Sequence, residues 1–305
     1  MTNLSNPKFA WMDGLVPWED ATCHISSLAF KYGAAVFEGI RAYWNSDREE
    51  LVLWQAGEHL ARLERSQHFM RFANPVKSRD ALAAIKELLK ANATRADVHI
   101  TVTAFLSGHG QPFVCEPVSL AITAMERPDY TTDGLDVQVS SWRKPSDTAL
   151  PQRVKANGNY LNGRLASIQA RHDGYDTAIL LNDRGQVAEG PSMCFFMVRD
   201  GIVVTPDSQA GILESITRET LLVILREDNI PVEVRPVDRS ELPFATEAFF
   251  CGTGWEIAPI KSIDGQTLRH ANEQPLTEML RNRFRELATG NNPSHPEWRV
   301  ILKHI

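Results

Sequence analysis

Apolar positions along the chain change from a period of two to one of three or four and back, and these changes outline its elements. In "FAWMDGLVPWEDA" (9–21) apolar residues are broken by glycine and proline, which predicts short strands and turns, and "ELVLW" (50–54) reads as another strand. Helical spacing follows. In "GEHLARLERSQHFMRF" the residues Leu60, Leu63, Gln67 and Met70 fall on one stripe. In "RDALAAIKELLKANA" Leu82, Ile85, Leu88 and Leu89 do the same, with Asp80 as the expected N-cap. Two β-rich runs come next, "DVHITVTAFL" and "VSLAITAME".

The polar segment "RPDYTTDG" (127–134) then reads as a boundary before a new strand, "LDVQVSSW". Beyond it we expect a helix from about Asn159 to His172, with Leu161, Leu165 and Ile168 on its buried face. The strand "DTAILLND", the turn "DRGQ", and the hairpin "CFFMVRDGIVVTP" turning at "RDG" come after it. A helix over "SITRETLLVILRED" starts near Ser215 or Thr217, and the last strand expected is "EAFFCGTGWEI".

With 305 residues, 43% of them hydrophobic, the chain can bury one large core or two moderate ones, and length favours two domains. A net charge of -6 argues against nucleic acid or an anionic membrane as partner, leaving a small molecule. The first residues lack a signal-peptide core, and no run approaches the roughly 20 apolar residues needed to span a bilayer. Cys23, Cys115, Cys194 and Cys251 are far apart without a CxxC pair, so free thiols in a cytosolic protein are expected.

Taken singly, the local motifs say little. "GHG" (108–110) and "GTG" (252–254) lack the strand-GxGxxG-helix context of a dinucleotide site. There is no P-loop, no HExxH or paired histidine spacing for a metal, and no GxSxG elbow. Two places suit an anion. Ser215, Ile216 and Thr217 stand where the first unpaired amides of a helix would point, and the small residues of "CGTG" let backbone amides approach a ligand. On local evidence alone, simple capping and a tight turn are the favoured explanation. Lys155, in "KANGNYLNG", reads on its own as either a surface charge or a reactive amine.

Taken together, six ordered blocks resemble the fold type IV pyridoxal-phosphate enzymes, and within them the branched-chain amino acid aminotransferases of class IV. The blocks are "FKYGAAVFEGIRAY" (30–43), "HLARLERS" (59–66), "KANGNYLNG" (155–163), "GYDTAILLNDRGQVAEG" (174–190), "ILESITR" (212–218) and "GTGWEIAPIKSIDG" (252–265). The resemblance implies an α+β fold like that of D-amino acid aminotransferase. A small N-terminal α/β domain (1–126) and an interdomain loop (127–134) would precede a larger C-terminal domain (135–305) with a barrel-like sheet core, which carries the lysine, and the cofactor would lie between the domains.

The resemblance also implies roles. Lys155 resembles the lysine that joins the aldehyde of pyridoxal 5'-phosphate and later moves the substrate's Cα proton, work that suits an amine. Glu189 resembles the carboxylate that faces the pyridine nitrogen, and Tyr160 the phenol at the ring oxygen. Arg62 resembles the phosphate arginine, joined by Ile216, Thr217 and Thr253, with Leu213 packed on a ring face. Tyr32, Phe37, Arg41, His99, Thr253 and Gly254 fall in substrate-lining blocks, some reached from a neighbouring subunit, which implies a homodimer or a higher homo-oligomer.

Some positions depart from the family pattern. Branched-chain members commonly carry Y-I-R where this chain reads His99-Ile100-Thr101, so a carboxylate-binding arginine is missing. Cys194 replaces an asparagine, Trp255 a small residue, and "ESITR" replaces "PGITR". The implied activity is a ping-pong transfer of an amino group between an L-amino acid, foremost Leu, Ile or Val, and a 2-oxo acid. A D-amino acid or (R)-amine transaminase, an aminodeoxychorismate lyase and a non-catalytic binding protein are the alternatives.

Overall fold

The computed structural model describes residues 6–127 and 133–303. In chain order its strands are β1 (Phe9–Met12), β2 (Leu15–Pro17), β3 (Ala35–Asn45), β4 (Glu50–Trp54), β5 (Val98–Leu106), β6 (Val118–Glu126), β7 (Leu135–Arg143) and β8 (Thr177–Leu181). They continue with β9 (Val187–Glu189), β10 (Cys194–Arg199), β11 (Ile202–Thr205), β12 (Val232–Val234), β13 (Glu247–Gly252), β14 (Glu256–Ile263), β15 (Gln266–Thr267) and β16 (Arg299–Lys303). The α-helices are α1 (Leu28–Tyr32), α2 (Ala56–Phe69), α3 (Ser78–Ala91), α4 (Tyr160–His172), α5 (Ile216–Glu227) and α6 (Pro275–Ala288).

The chain forms two compact units. One holds Met1–Asp129, Val154–Gly158 and Glu286–Ile305, and the other holds Tyr130–Arg153 and Asn159–Arg285. The first unit is built on a seven-stranded sheet of order β16-β4-β3-β5-β6-β1-β2. Its β3 reads with period two: Val36, Glu38 and Ile40 are fully buried, and they share a face with Ile100, Val102 and Ile122 of neighbouring strands. Helices α2 and α3 cover that face with Leu60, Leu63, Ile85, Leu88 and Leu89. The opposite face of β3 and β5 carries Phe37, Gly39, Arg41, His99, Thr101 and Thr103.

The second unit is built on a nine-stranded mixed sheet. Six of its strands, β10-β13-β14-β7-β8-β9, form a ring, because β9 pairs back onto β10. Leu135, Val137, Ile179, Val187, Phe195, Phe250 and Ile260 from these strands make one apolar cluster, the filling expected of a small barrel.

Several elements differ from the sequence reading, each for a local reason. Lys155 belongs with the first unit rather than with a continuous 135–305 domain, because Phe37 donates its amide to the Lys155 carbonyl and Val36 bridges Ala156. The chain end also returns to the first unit, where β16 pairs along all of β4. Residues 128–132 of the expected boundary loop lie outside the described residues. Helix α3 starts at Ser78, two residues before the expected cap Asp80, because the Glu64 carboxylate accepts from both the Ser78 amide and its hydroxyl. The run "EAFFCGTGWEI" is two antiparallel strands, β13 and β14, not one.

Helix α4 also buries a different face. Leu161 and Ile168 are exposed, and the helix seats through Gly163, Ala166 and Ala170 against Ala178 and Leu180. Small residues win here because the helix lies so close to its neighbour that an ideal Cβ on Gly163 would stand 2.3 Å from the Pro191 carbonyl oxygen. In a helix interior Gly→Ala ordinarily adds up to about 1 kcal/mol. Gly163→Ala should instead lose about 1–3 kcal/mol through overpacking, whereas Gly57→Ala, in α2 with no atom within 4 Å of the new methyl, should be neutral or stabilising. Thermal unfolding of the two variants checks this, and equal behaviour would refute the close approach.

Candidate active site

In the first unit the lysine stands beside the outer face of β3 and β5. The Lys155 Nζ lies 4.7 Å from the centroid of the Phe37 ring, and its backbone is fixed by the Phe37 amide. Beyond Gly39 on that face, Arg41 is buried, with Nη1 donating to the Arg127 carbonyl at 2.8 Å and the guanidinium 5.2 Å from the Tyr43 ring. His99 is the register partner of Arg41. Its ring lies over Gly39, where an added Cβ would come within 2.8 Å of Nε2. Burial first, and then the charges of Arg127, Arg41 and Lys155, push the His99 imidazole down to about 4, so it is neutral at pH 7.

Thr101, where branched-chain members commonly have an arginine, pairs with Gly39 on this same face. Arg41 therefore supplies nearby the positive charge that Thr101 does not. Tyr32 is placed differently. It ends helix α1 rather than lying on a strand, and it is half exposed, with the Lys31 ammonium 5.0 Å from its ring.

On the inner face of β3, Arg62 of helix α2 is buried against Glu38. Its Nε donates to Oε1 at 2.6 Å and its Nη2 to Oε2 at 2.8 Å, while His59 Nδ1 lies 2.7 Å from Oε2. Glu38 and His59 escaped the sequence reading. The signal was present: an acidic residue at an inward position of an apolar strand needs a partner, and His59 and Arg62 are three apart on one helix face.

The second unit gathers another set. Glu189 ends β9, with Lys144 Nζ 2.6 Å from Oε1 and the Leu213 amide donating to Oε2 at 3.2 Å. Cys194 pairs with Glu189 in register and, on its other side, with Cys251 of β13, whose strand runs into the Gly252–Trp255 turn. Burial, and then the neighbouring Cys194, push the Cys251 thiol well up, so it stays protonated. Nothing in the sequence marked Lys144, which follows β7 in an irregular stretch.

Helix α5 starts at Ile216, and the Ser215 hydroxyl caps it by accepting from the Arg218 amide. Capping and anion binding are thus compatible, since the amides of Ile216 and Thr217 precede the first intrahelical acceptors. Thr253 and Gly254 occupy the turn after β13, and Tyr160 is a half-buried residue in the first turn of α4. Trp255 packs on the barrel cluster. Among the described residues no group of acidic, histidine or cysteine side chains could hold a metal, and no helix is long and apolar enough to cross a membrane.

Residues 35–263, which contain nearly all of these groups, match the family model of amino-transferase class IV. The chain belongs to that family. Among curated class IV relatives, a probable branched-chain-amino-acid aminotransferase of Aquifex aeolicus is 34% identical over 95% of both chains. Among solved structures, the branched-chain amino acid aminotransferase of Thermobaculum terrenum in its PLP holo-form is 39% identical with a TM-score of 0.90, covering 97% of this chain and 98% of that one. The branched-chain aminotransferase of Thermoproteus uzoniensis, solved with norvaline, is 36% identical with a TM-score of 0.92, covering 97% and 99%.

The depressed His99 gives this aminotransferase a testable acid sensitivity. Its folded pKa of about 4 lies below the ordinary 6.5, so the unfolded chain takes up the proton more readily. Stability from this residue is complete above about pH 6.5 and is lost as the pH falls toward 4. His99→Gln should flatten the pH dependence of unfolding free energy in that window by up to about 3 kcal/mol. His59, also shifted down by burial, accounts for part of what remains. An unchanged slope in denaturant titrations at pH 7 and pH 4.5 would refute the assignment.

Proposed function

We propose that this chain is a pyridoxal-phosphate-dependent transaminase that moves an amino group from a branched-chain L-amino acid to a 2-oxo acid in two half-reactions. The observation that carries the reading is the match to branched-chain aminotransferases along nearly the full length of both chains, with Lys155, Glu189, Tyr160 and Arg62 all present. The cofactor, when bound, supplies an aldehyde that takes up the amino group and a ring that draws electrons from the substrate Cα.

Within each unit the chain carries groups whose chemistry suits a part of that ligand. The Lys155 Nζ, beside the Phe37 ring, takes and returns the Cα proton. Glu189, held by Lys144 and the Leu213 amide, presents a fixed carboxylate to the ring nitrogen, and Leu213 packs on a ring face. The Tyr160 hydroxyl meets the ring oxygen. We assign the phosphate to Arg62 in the first unit and, in the second, to the amides of Ile216 and Thr217 with Thr253. To the substrate we assign Tyr32, Phe37, Arg41 and His99 of the first unit and Thr253 and Gly254 of the second. Arg41 and neutral His99 offer donors for a carboxylate, while Thr101 adds no second clamp, so glutamate should be a poorer donor than the branched-chain acids.

We assign the exposed apolar side chains of the first unit, Ile25 (72% exposed), Phe30 (70%) and Phe113 (80%), to contact with a second copy of the chain. Cytosolic residence is the matching proposal, consistent with four free thiols.

The purified protein should carry a visible absorption band from bound cofactor that Lys155→Ala abolishes. L-leucine, L-isoleucine or L-valine should bleach it faster than L-glutamate does. Absence of the band, or its persistence in the variant, would reject the enzyme reading. Bleaching by D-alanine or 1-phenylethylamine alone would keep the family and reject the substrate. Light scattering coupled to size exclusion should give at least twice the chain mass, and a monomer would overturn the apolar contact.

A further inference from the structure

The carboxylate of Glu38 is fully buried on the inner face of β3, an unusual place for a charge. It is nonetheless ionised. Burial alone would raise its pKa, but the Arg62 charge and hydrogen bonds, with that of His59, hold it at about 2. His59 is pushed down by the same burial and is neutral at pH 7, so the hydrogen shared with Glu38 sits on Nδ1, and His59 donates it.

The two bonds from Arg62 leave through Nε and Nη2, the paired edge of the guanidinium fork. Engaging that edge fixes the plane of the group and turns the edge bearing Nη1 away from the carboxylate. A buried ion pair of this kind gains little stability over an apolar pair of similar volume. What it supplies is orientation.

We propose that Glu38 is a positioning residue for pyridoxal phosphate: it holds the Arg62 guanidinium, with His59 as its strut, in the attitude that receives the phosphate. The inference rests on the reading of Arg62 as the phosphate arginine. It differs in sign from simple electrostatics. Removing the negative charge of Glu38 would strengthen binding of a dianion if only net charge mattered, and weakens it if orientation matters.

The test compares pyridoxal phosphate with pyridoxal, which lacks the phosphate, by titrating each into full-length protein stripped of cofactor and following tryptophan fluorescence. Glu38→Gln should lower the affinity for pyridoxal phosphate by roughly 10- to 100-fold, the range seen when outer-sphere partners are removed, with pyridoxal little changed. Glu38→Asp, whose carboxylate is set back by one methylene and so falls short of Nε and Nη2, should shift the same ratio and serves if the glutamine variant fails to fold. Unchanged or tighter binding of pyridoxal phosphate by these variants, or equal loss of both ligands, would overturn the proposal. Arg62→Met separates the premise from the inference. If it leaves the preference for the phosphorylated ligand intact, the Arg62 reading falls and Glu38 with it; if it removes the preference while the Glu38 variants keep it, the Glu38 proposal alone is wrong.

Discussion

Backbone pairing between residues 154–158 and β3 decides where the reactive amine can stand. Residues on either side of this short segment belong to the second unit, yet the Phe37 amide and the Val36–Ala156 bridge draw Lys155 to the first. Once that pairing is made, strand register does the rest. Phe37, Gly39 and Arg41 follow at intervals of two on one face, and His99 and Thr101 face them from β5. A one-residue slip of β3 would turn Phe37, Gly39 and Arg41 inward and bring Glu38 out, so the apolar packing of Val36 and Ile40 also fixes the chemistry.

Two carboxylates buried at the candidate site each face a cation. Glu38 has Arg62, and Glu189 has Lys144. His99, buried and then surrounded by cations, gives up its own charge. The balance is local to each pair, and its value lies less in stability than in fixed direction: each carboxylate has both oxygens engaged, which leaves little freedom to either partner.

Much of this was legible in the sequence. β4, β6, α2 and the hairpin of β10 and β11 follow directly from period and turn chemistry, with Asp200 and Gly201 both in the left-handed region that the tight turn requires. The ordered motifs pointed to Lys155, Glu189 and the start of α5. What stayed hidden was set by contacts remote in sequence. The burial of Glu38 needs a helix two dozen residues away, and the membership of residues 154–158 and β16 in the first unit needs strands more than a hundred residues earlier. Helix α4 misled for another reason. Large apolar residues at helical spacing ordinarily mark the buried face, but here Gly163 and its alanines give the closer approach, and Leu161 and Ile168 are left outside.

The barrel closes through its shortest ring strand, β9, whose pairing to β10 is a single register match, Glu189 with Cys194. The residue that closes the ring is therefore also the one that presents the carboxylate. On its other side Glu189 pairs with Leu180 of β8, and Lys144 donates its amide to the Leu181 carbonyl, so the carboxylate and its lysine stay together on the β8 side if the seam to β10 parts. The aim of the carboxylate thus outlasts a local opening of the single match to β10, because the lysine that holds it comes from the other side of the seam.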